Sequence, residues 1–80
     1  MAQPTLSVMV TSPTQVLFRG PAQSVSCPGE QGTFEVLPLH RPLVSRLLQG
    51  ALVVDQRSFA IQRGVMRVAN DIVTVVVELP

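Results

Sequence analysis

Val65-Met66-Arg67-Val68-Ala69-Asn70-Asp71-Ile72-Val73-Thr74-Val75-Val76-Val77-Glu78 decides the fold class. Met66 and Val68 alternate with Val65 and Arg67, the period of two expected of a half-buried strand. Asn70-Asp71 is a two-residue hairpin signal, because Asn and Asp tolerate the positive φ of a type I′ turn. Ile72 to Glu78 then reads as the second strand of the hairpin. Its apolar run is far shorter than the roughly 20 residues a helix needs to span a bilayer.

The same alternation recurs upstream. Leu6, Val8 and Val10 alternate with Ser7, Met9 and Thr11 until Ser12-Pro13-Thr14, where Pro lacks the N–H a ladder needs. Val16 and Phe18 alternate with Leu17 and Arg19, and Gly20-Pro21 is expected to stop that strand. Val25 and Cys27 alternate with Ser24 and Ser26 until Pro28-Gly29, a turn dipeptide. Phe34 and Val36, Leu52 and Val54, and Phe59 and Ile61 follow the same rule. Leu43-Val44-Ser45-Arg46-Leu47-Leu48 has a spacing that suits a short helix or a strand, closed by Gln49-Gly50. Fourteen of the 80 residues are Val, which favours strands. Eight or nine short strands and no long helix predict one all-β domain over residues 1–80, an antiparallel sandwich or barrel.

Composition narrows the function. A chain of 80 residues forms one small domain. It buries only about 60% of its unfolded surface, which leaves little room for a deep catalytic cleft. With 46% hydrophobic and 14% charged residues it is no disordered chain. A surface so poor in charge suggests that a partner covers part of it. Six Arg, no Lys and five acids are scattered along the chain, which argues against nucleic acid. Cys27 is alone, so it forms no intrachain disulfide and no thiolate metal cluster, and a reducing compartment fits. Met1-Ala2-Gln3-Pro4-Thr5 carries no signal-peptide pattern.

No catalytic constellation emerges. His40, the only His, has Cys27, Ser7, Ser12, Ser24, Ser26, Ser45 and Ser58 as possible nucleophilic partners, and none sits in a G-x-S-x-G elbow. Cys27 shares a strand face with Val25 and reads as a small buried hydrophobe. His40 cannot hold a metal without other ligands. Pro28-Gly29-Glu30-Gln31-Gly32 is glycine-rich but lacks the Lys-Ser/Thr end of a phosphate loop. It reads as a tight turn in which Gly29 and Gly32 supply unusual backbone angles. Leu37-Pro38-Leu39-His40-Arg41-Pro42-Leu43 is stiffened by two prolines, so it loses little entropy on binding and suits either a docking surface or a crossover between sheets.

In order, Leu6-Ser7-Val8, Ser12-Pro13, Val16-x-Phe18-x-Gly20, Pro28-Gly29-x-x-Gly32 and Val36-Leu37-Pro38-x-His40-x-Pro42-Leu43 resemble the epsilon subunit of F-type ATP synthases. Gln49-Gly50-x-Leu52, Phe59-x-Ile61, Gly64-x-x-x-Val68 and Asn70-x-x-Val73-Thr74-Val75 continue the likeness to that subunit's N-terminal β-sandwich domain, over residues 5 to 78. The resemblance implies ten short strands in two five-stranded sheets. It implies a non-catalytic rotor subunit of the central stalk, without a cofactor, that couples proton translocation to ATP synthesis. One face should pack on the gamma subunit. Glu30, Gln31 and Thr33 in one turn and Leu39, His40 and Arg41 in the next loop should rest on the c-ring. Pro28, Gly29, Gly32, Pro38, Pro42, Gly50, Gly64 and Asn70 should shape the turns. The expected place is peripheral, on the cytoplasmic face of the bacterial inner membrane.

The sequence also departs from that family. Gly is usual where Glu35, Leu39 and Arg63 stand here, and Ala where Arg41 stands; these changes fall partly in the loop that resembles the rotor-docking loop, so of all that the resemblance implies, partner specificity carries over least. The family usually continues into a C-terminal helical hairpin that restrains ATP hydrolysis and in some members binds ATP. These 80 residues read as a short form ending at that boundary, and no nucleotide binding is expected of them. The alternative is a free-standing β-sandwich of the same ancestry with a different protein partner.

Overall fold

The computed structural model describes residues 4–80; the signal-peptide reading rests partly on Met1, Ala2 and Gln3, which lie outside the described residues. Nine strands follow in order: β1 (Leu6–Thr11), β2 (Val16–Ala22), β3 (Val25–Gly29), β4 (Gly32–Val36), β5 (Leu43–Leu47), β6 (Gly50–Val54), β7 (Arg57–Ile61), β8 (Arg63–Ala69) and β9 (Ile72–Glu78). Backbone hydrogen bonds run through them in the order β2-β1-β9-β8-β5-β3-β6-β7, with β4 on the other side of β3. The link from β5 to β3 is a single rung, Leu47 opposite Gly29. It divides the path into a five-stranded sheet, β2-β1-β9-β8-β5, and a four-stranded sheet, β4-β3-β6-β7. The second sheet thus has four strands rather than five among the described residues.

The ambiguous segment from Leu43 is a strand, β5. It pairs with β8 over its whole length, from Leu43 opposite Val68 to Leu47 opposite Gly64. Tertiary pairing settles what its spacing left open. Both β5 and β6 pair with β3, so the chain crosses from one sheet to the other at Leu48-Gln49, where Leu48 N–H donates to the Pro28 carbonyl oxygen at 2.8 Å. Among the described strands one pair is not antiparallel: β1 and β9 lie parallel in the middle of the larger sheet. The rest of the chain serves as their crossover, as a parallel pair requires.

The inward faces form one core. Leu6, Val8, Val10, Leu47, Met66, Val68, Val73, Val75 and Val77 of the larger sheet join Val25, Cys27, Val36, Leu52, Val54 and Ile61 of the smaller in one buried cluster. Each such aliphatic side chain is worth about 1.5–3 kcal/mol when removed from water. The Asp55 carboxylate accepts Gln23 N–H at 2.8 Å and Ser24 N–H at 3.0 Å, which ties the β6–β7 turn to the β2–β3 connection. Across the same corner the Arg57 guanidinium lies 5.9 Å from the Phe18 ring centre.

Three local expectations need correction. Gly20-Pro21 does not end β2, which runs on to Ala22. β2 is an edge strand, and an edge tolerates the missing Pro N–H. The β3–β4 turn is Glu30-Gln31, not Pro28-Gly29, since Pro28 and Gly29 still pair with Thr33 and Gly32. The alternation of Val16 with Phe18 also fails. A register shift lets Val10 face Phe18 while Thr11 faces Val16, so Leu17 is bypassed and Val16 turns to the outer face.

Candidate functional site

The β4–β5 connection, residues 37–42, is held in a defined shape. His40 N–H donates to the Leu37 carbonyl oxygen at 3.2 Å, closing a β-turn with Pro38 and Leu39 at its centre. Pro38 fixes the first central φ, and Leu39 has φ 70°, the pattern of a type II turn. That position favours Gly, and a leucine there is strained. The strained backbone is clasped from outside: Leu39 N–H donates to Asp71 Oδ1 at 2.7 Å. Asp71 and Asn70 form the β8–β9 turn with φ 61° and 52°, both left-handed as a type I′ hairpin requires.

Five of the six residues expected to dock come together. Glu30, Gln31, Thr33, His40 and Arg41 line one open groove of about 570 Å³, together with Glu35, Phe34 and Leu43. It lies between β4 and β5, each an edge strand of its sheet. Carboxylates and a guanidinium stand in the same groove beside Phe34 and Leu43, so it carries charges of both signs on a partly apolar floor. His40 Nδ1–H donates to the Arg41 carbonyl oxygen at 2.6 Å, which leaves Nε2 as its second hydrogen-bonding atom. Leu39 is not in the groove lining and is 84% exposed.

The residues expected to shape turns have several different tasks. Gly32 has φ 111°, a backbone angle that only Gly adopts readily. Gly29 has no such angle. It is needed for space, since a Cβ there would stand 2.7 Å from the Phe34 ring. Gly50 opens β6 with the Pro28 side chain against it, and Gly64 lies inside β8 rather than in a turn. A Cβ on Gly64 would stand 2.7 Å from the Val76 carbonyl oxygen. Pro38 and Asn70 sit in the turns described above, and Pro42 precedes β5.

The outer face of the larger sheet carries a second surface. Val65 of β8 lies opposite Val76 of β9, Val76 opposite Thr11 of β1, and Thr11 opposite Val16 of β2. These three valines are each about half exposed. Arg46 on β5 extends the row beyond Val65. Beside it a groove of about 620 Å³ is lined by Pro13, Leu48, Val65 and Val76 together with the charged Arg46, Arg63 and Glu78. Sequence reasoning expected an apolar face but did not name these residues. The signal was Val75-Val76-Val77, because consecutive apolar residues put apolar side chains on both faces of a strand.

Covalent chemistry finds no footing at Cys27. The thiol is buried, and that burial pushes its pKa up to about 12, so it stays protonated at neutral pH. A protonated, inaccessible thiol is not a nucleophile.

The family model for the ATP synthase delta/epsilon chain beta-sandwich domain matches residues 5–79. The chain is 38% identical over 79 residues to an ATP synthase epsilon chain of Xanthomonas campestris pv. campestris strain B100, covering 92% of this chain and 56% of that one. It is 37% identical, with the same coverage, to an ATP synthase epsilon chain of Stenotrophomonas maltophilia strain K279a. The chain thus spans little more than half the length of these relatives. Its fold matches a chain of the Euglena gracilis mitochondrial ATP synthase OSCP/F1/c-ring structure with TM-score 0.84 and 19% identity, over 96% of this chain and 53% of that one. It matches a chain of the Tetrahymena thermophila mitochondrial ATP synthase central stalk and c-ring structure with TM-score 0.80 and 10% identity, over 98% of this chain and 66% of that one.

Proposed function

The chain belongs to the ATP synthase delta/epsilon chain beta-sandwich family, and from that premise we propose that it is a non-catalytic subunit of an F-type ATP synthase central stalk. The observation that carries this reading is the outer row of Val65, Val76 and Val16. A row of half-exposed valines on the outside of a small sandwich, broken only by Thr11 between Val76 and Val16, is a mark of an interaction surface. In this reading the gamma subunit covers that row. The mixed-charge groove between β4 and β5 then rests on polar loops of the c-ring, with Glu30, Gln31, Thr33, His40 and Arg41 as the contacting side chains. Through these two contacts the domain passes rotation between the ring and the stalk and so couples proton translocation to ATP synthesis. It is peripheral to the membrane through the complex, on the cytoplasmic face of the bacterial inner membrane.

The groove separates docking from folding. His40 and Arg41 lie outside the buried core, so changing both should leave the domain folded. With His40→Ala and Arg41→Ala together, ATP-driven proton pumping in inverted vesicles should fall while the thermal midpoint of the chain stays near that of the wild type. Normal pumping would overturn the c-ring assignment. A large loss of thermal stability would assign the loop to structure instead.

A further inference from the structure

We infer that Leu39 is the apolar anchor of the docking loop and that Asp71 is its positioning residue. The inference rests on the docking reading above, which seats this loop on the c-ring, and deepens it by giving Leu39 the anchoring role and Asp71 the task of holding it in place. Three observations carry it. Leu39 holds a left-handed backbone, φ 70°, that costs a branched side chain energy. Among the described residues its side chain is the most exposed of the large apolar ones, at 84%. The Asp71 carboxylate reaches across from the β8–β9 turn to accept Leu39 N–H at 2.7 Å, a charge-assisted bond that holds the strained turn closed.

Within the free domain the leucine side chain gains little for this strain, since it is nearly all in water. Pro38 before it and the His40 N–H to Leu37 carbonyl bond after it fix the backbone that carries the side chain. An apolar side chain on a pre-formed turn spares the partner the cost of ordering that backbone when it is buried, which is how preorganised interface anchors work. It stands beside Arg41 and His40 in sequence but outside the groove they line. The matching feature on the partner is therefore an apolar recess next to polar loop groups. Asp71 also fixes β1 through its backbone, since its carbonyl oxygen accepts Ser7 N–H at 2.8 Å. The clasp thus ties the loop to the centre of the larger sheet.

The test uses ATP synthase isolated from the native host with the tagged chain in place. It measures the fraction of chain retained after dilution and washing, together with the thermal midpoint of each variant chain. Leu39→Ala keeps the backbone strain and removes the anchor; retention should fall about tenfold with the midpoint unchanged within about 2 °C. Leu39→Gly also relieves the strain; retention should fall equally while the midpoint rises by roughly 4 °C or more. Asp71→Ala should lose retention, and Asp71→Asn, whose Oδ1 still accepts the bond, should restore it. Wild-type retention of Leu39→Ala, or of Asp71→Ala, overturns the inference. If the His40→Ala and Arg41→Ala variant is also retained like wild type, the docking reading falls with it. If that variant is lost while Leu39→Ala is retained, only the anchor falls.

Discussion

Gly29 on β3 stands opposite Leu47 on β5, and this single rung joins the five-stranded sheet to the four-stranded one. Leu47 is fully buried there. Its side chain fills the place where the two sheets meet, so removing it opens a cavity at the hinge of the sandwich. Leu47→Ala should cost about 2–5 kcal/mol. Domains of this size hold roughly 0.05–0.15 kcal/mol per residue in total. A urea melt should therefore show a clearly lower midpoint with an unchanged slope. A midpoint equal to the wild type would mean that the joint is not part of the cooperative core.

Gly64 makes a sharper steric prediction. An added Cβ meets backbone, the Val76 carbonyl oxygen at 2.7 Å and Val77 Cα at 3.3 Å, and neither yields without parting β8 from β9. Gly64→Ala should destabilise by about 1–3 kcal/mol, the usual cost of overpacking. The thermal midpoint should drop by roughly 4 °C or more. An unchanged midpoint would show that the strand pair gives way more easily than its geometry indicates.

The sandwich was legible in the sequence because period-two alternation marks inward residues one by one. Leu6, Val8 and Val10, or Leu52 and Val54, are buried as that pattern requires. The failures occur where a local rule meets a tertiary one. Val16 lies just beyond a bulge, and no spacing rule in β2 alone announces that Leu17 will be skipped. Pro28-Gly29 has turn chemistry yet stays in the ladder, because the hairpin closes two residues later. Of the candidate site, the loop residues were legible from two prolines around a His. The clasp from Asp71 to Leu39 was not, since it joins residues 32 apart in sequence.

The buried thiol predicts a pH dependence with a definite sign. Cys27 has its folded pKa raised by desolvation from 9.0 to about 12. Below pH 9 both folded and unfolded states keep the proton, and the thiol makes no pH-dependent difference. Above it the unfolded chain releases the proton first, so the stability contribution is lost progressively as pH rises from 9 toward 12. Urea midpoints should fall over that range, and Cys27→Ala should flatten that part of the fall. A wild-type thiol that reacts with a disulfide reagent at pH 8 as fast in buffer as in denaturant would contradict its burial.

Asp55 tests the clasp at the other turn. Its carboxylate serves two backbone N–H groups, Gln23 and Ser24, and its own N–H donates to the Ser24 carbonyl oxygen at 3.1 Å. Asp55→Ala should destabilise by about 1–2 kcal/mol, the range seen when a capping side chain is removed. Asp55→Asn keeps an acceptor oxygen and should recover most of it. Equal stability of all three chains in a thermal melt would show that water replaces the carboxylate at no cost.

The central claim is that this sandwich lives on a rotor stalk, with the row of Val65, Val76 and Val16 covered by a partner. Its most direct test is affinity purification of the tagged chain from its native host, beside a Val76→Asp variant that sets a charge in the middle of the row. The wild-type chain should bring down the gamma subunit with other ATP synthase components, and the variant, still folded, should not. Recovery of the wild-type chain without any ATP synthase component, or equal recovery of gamma by both chains, would contradict it.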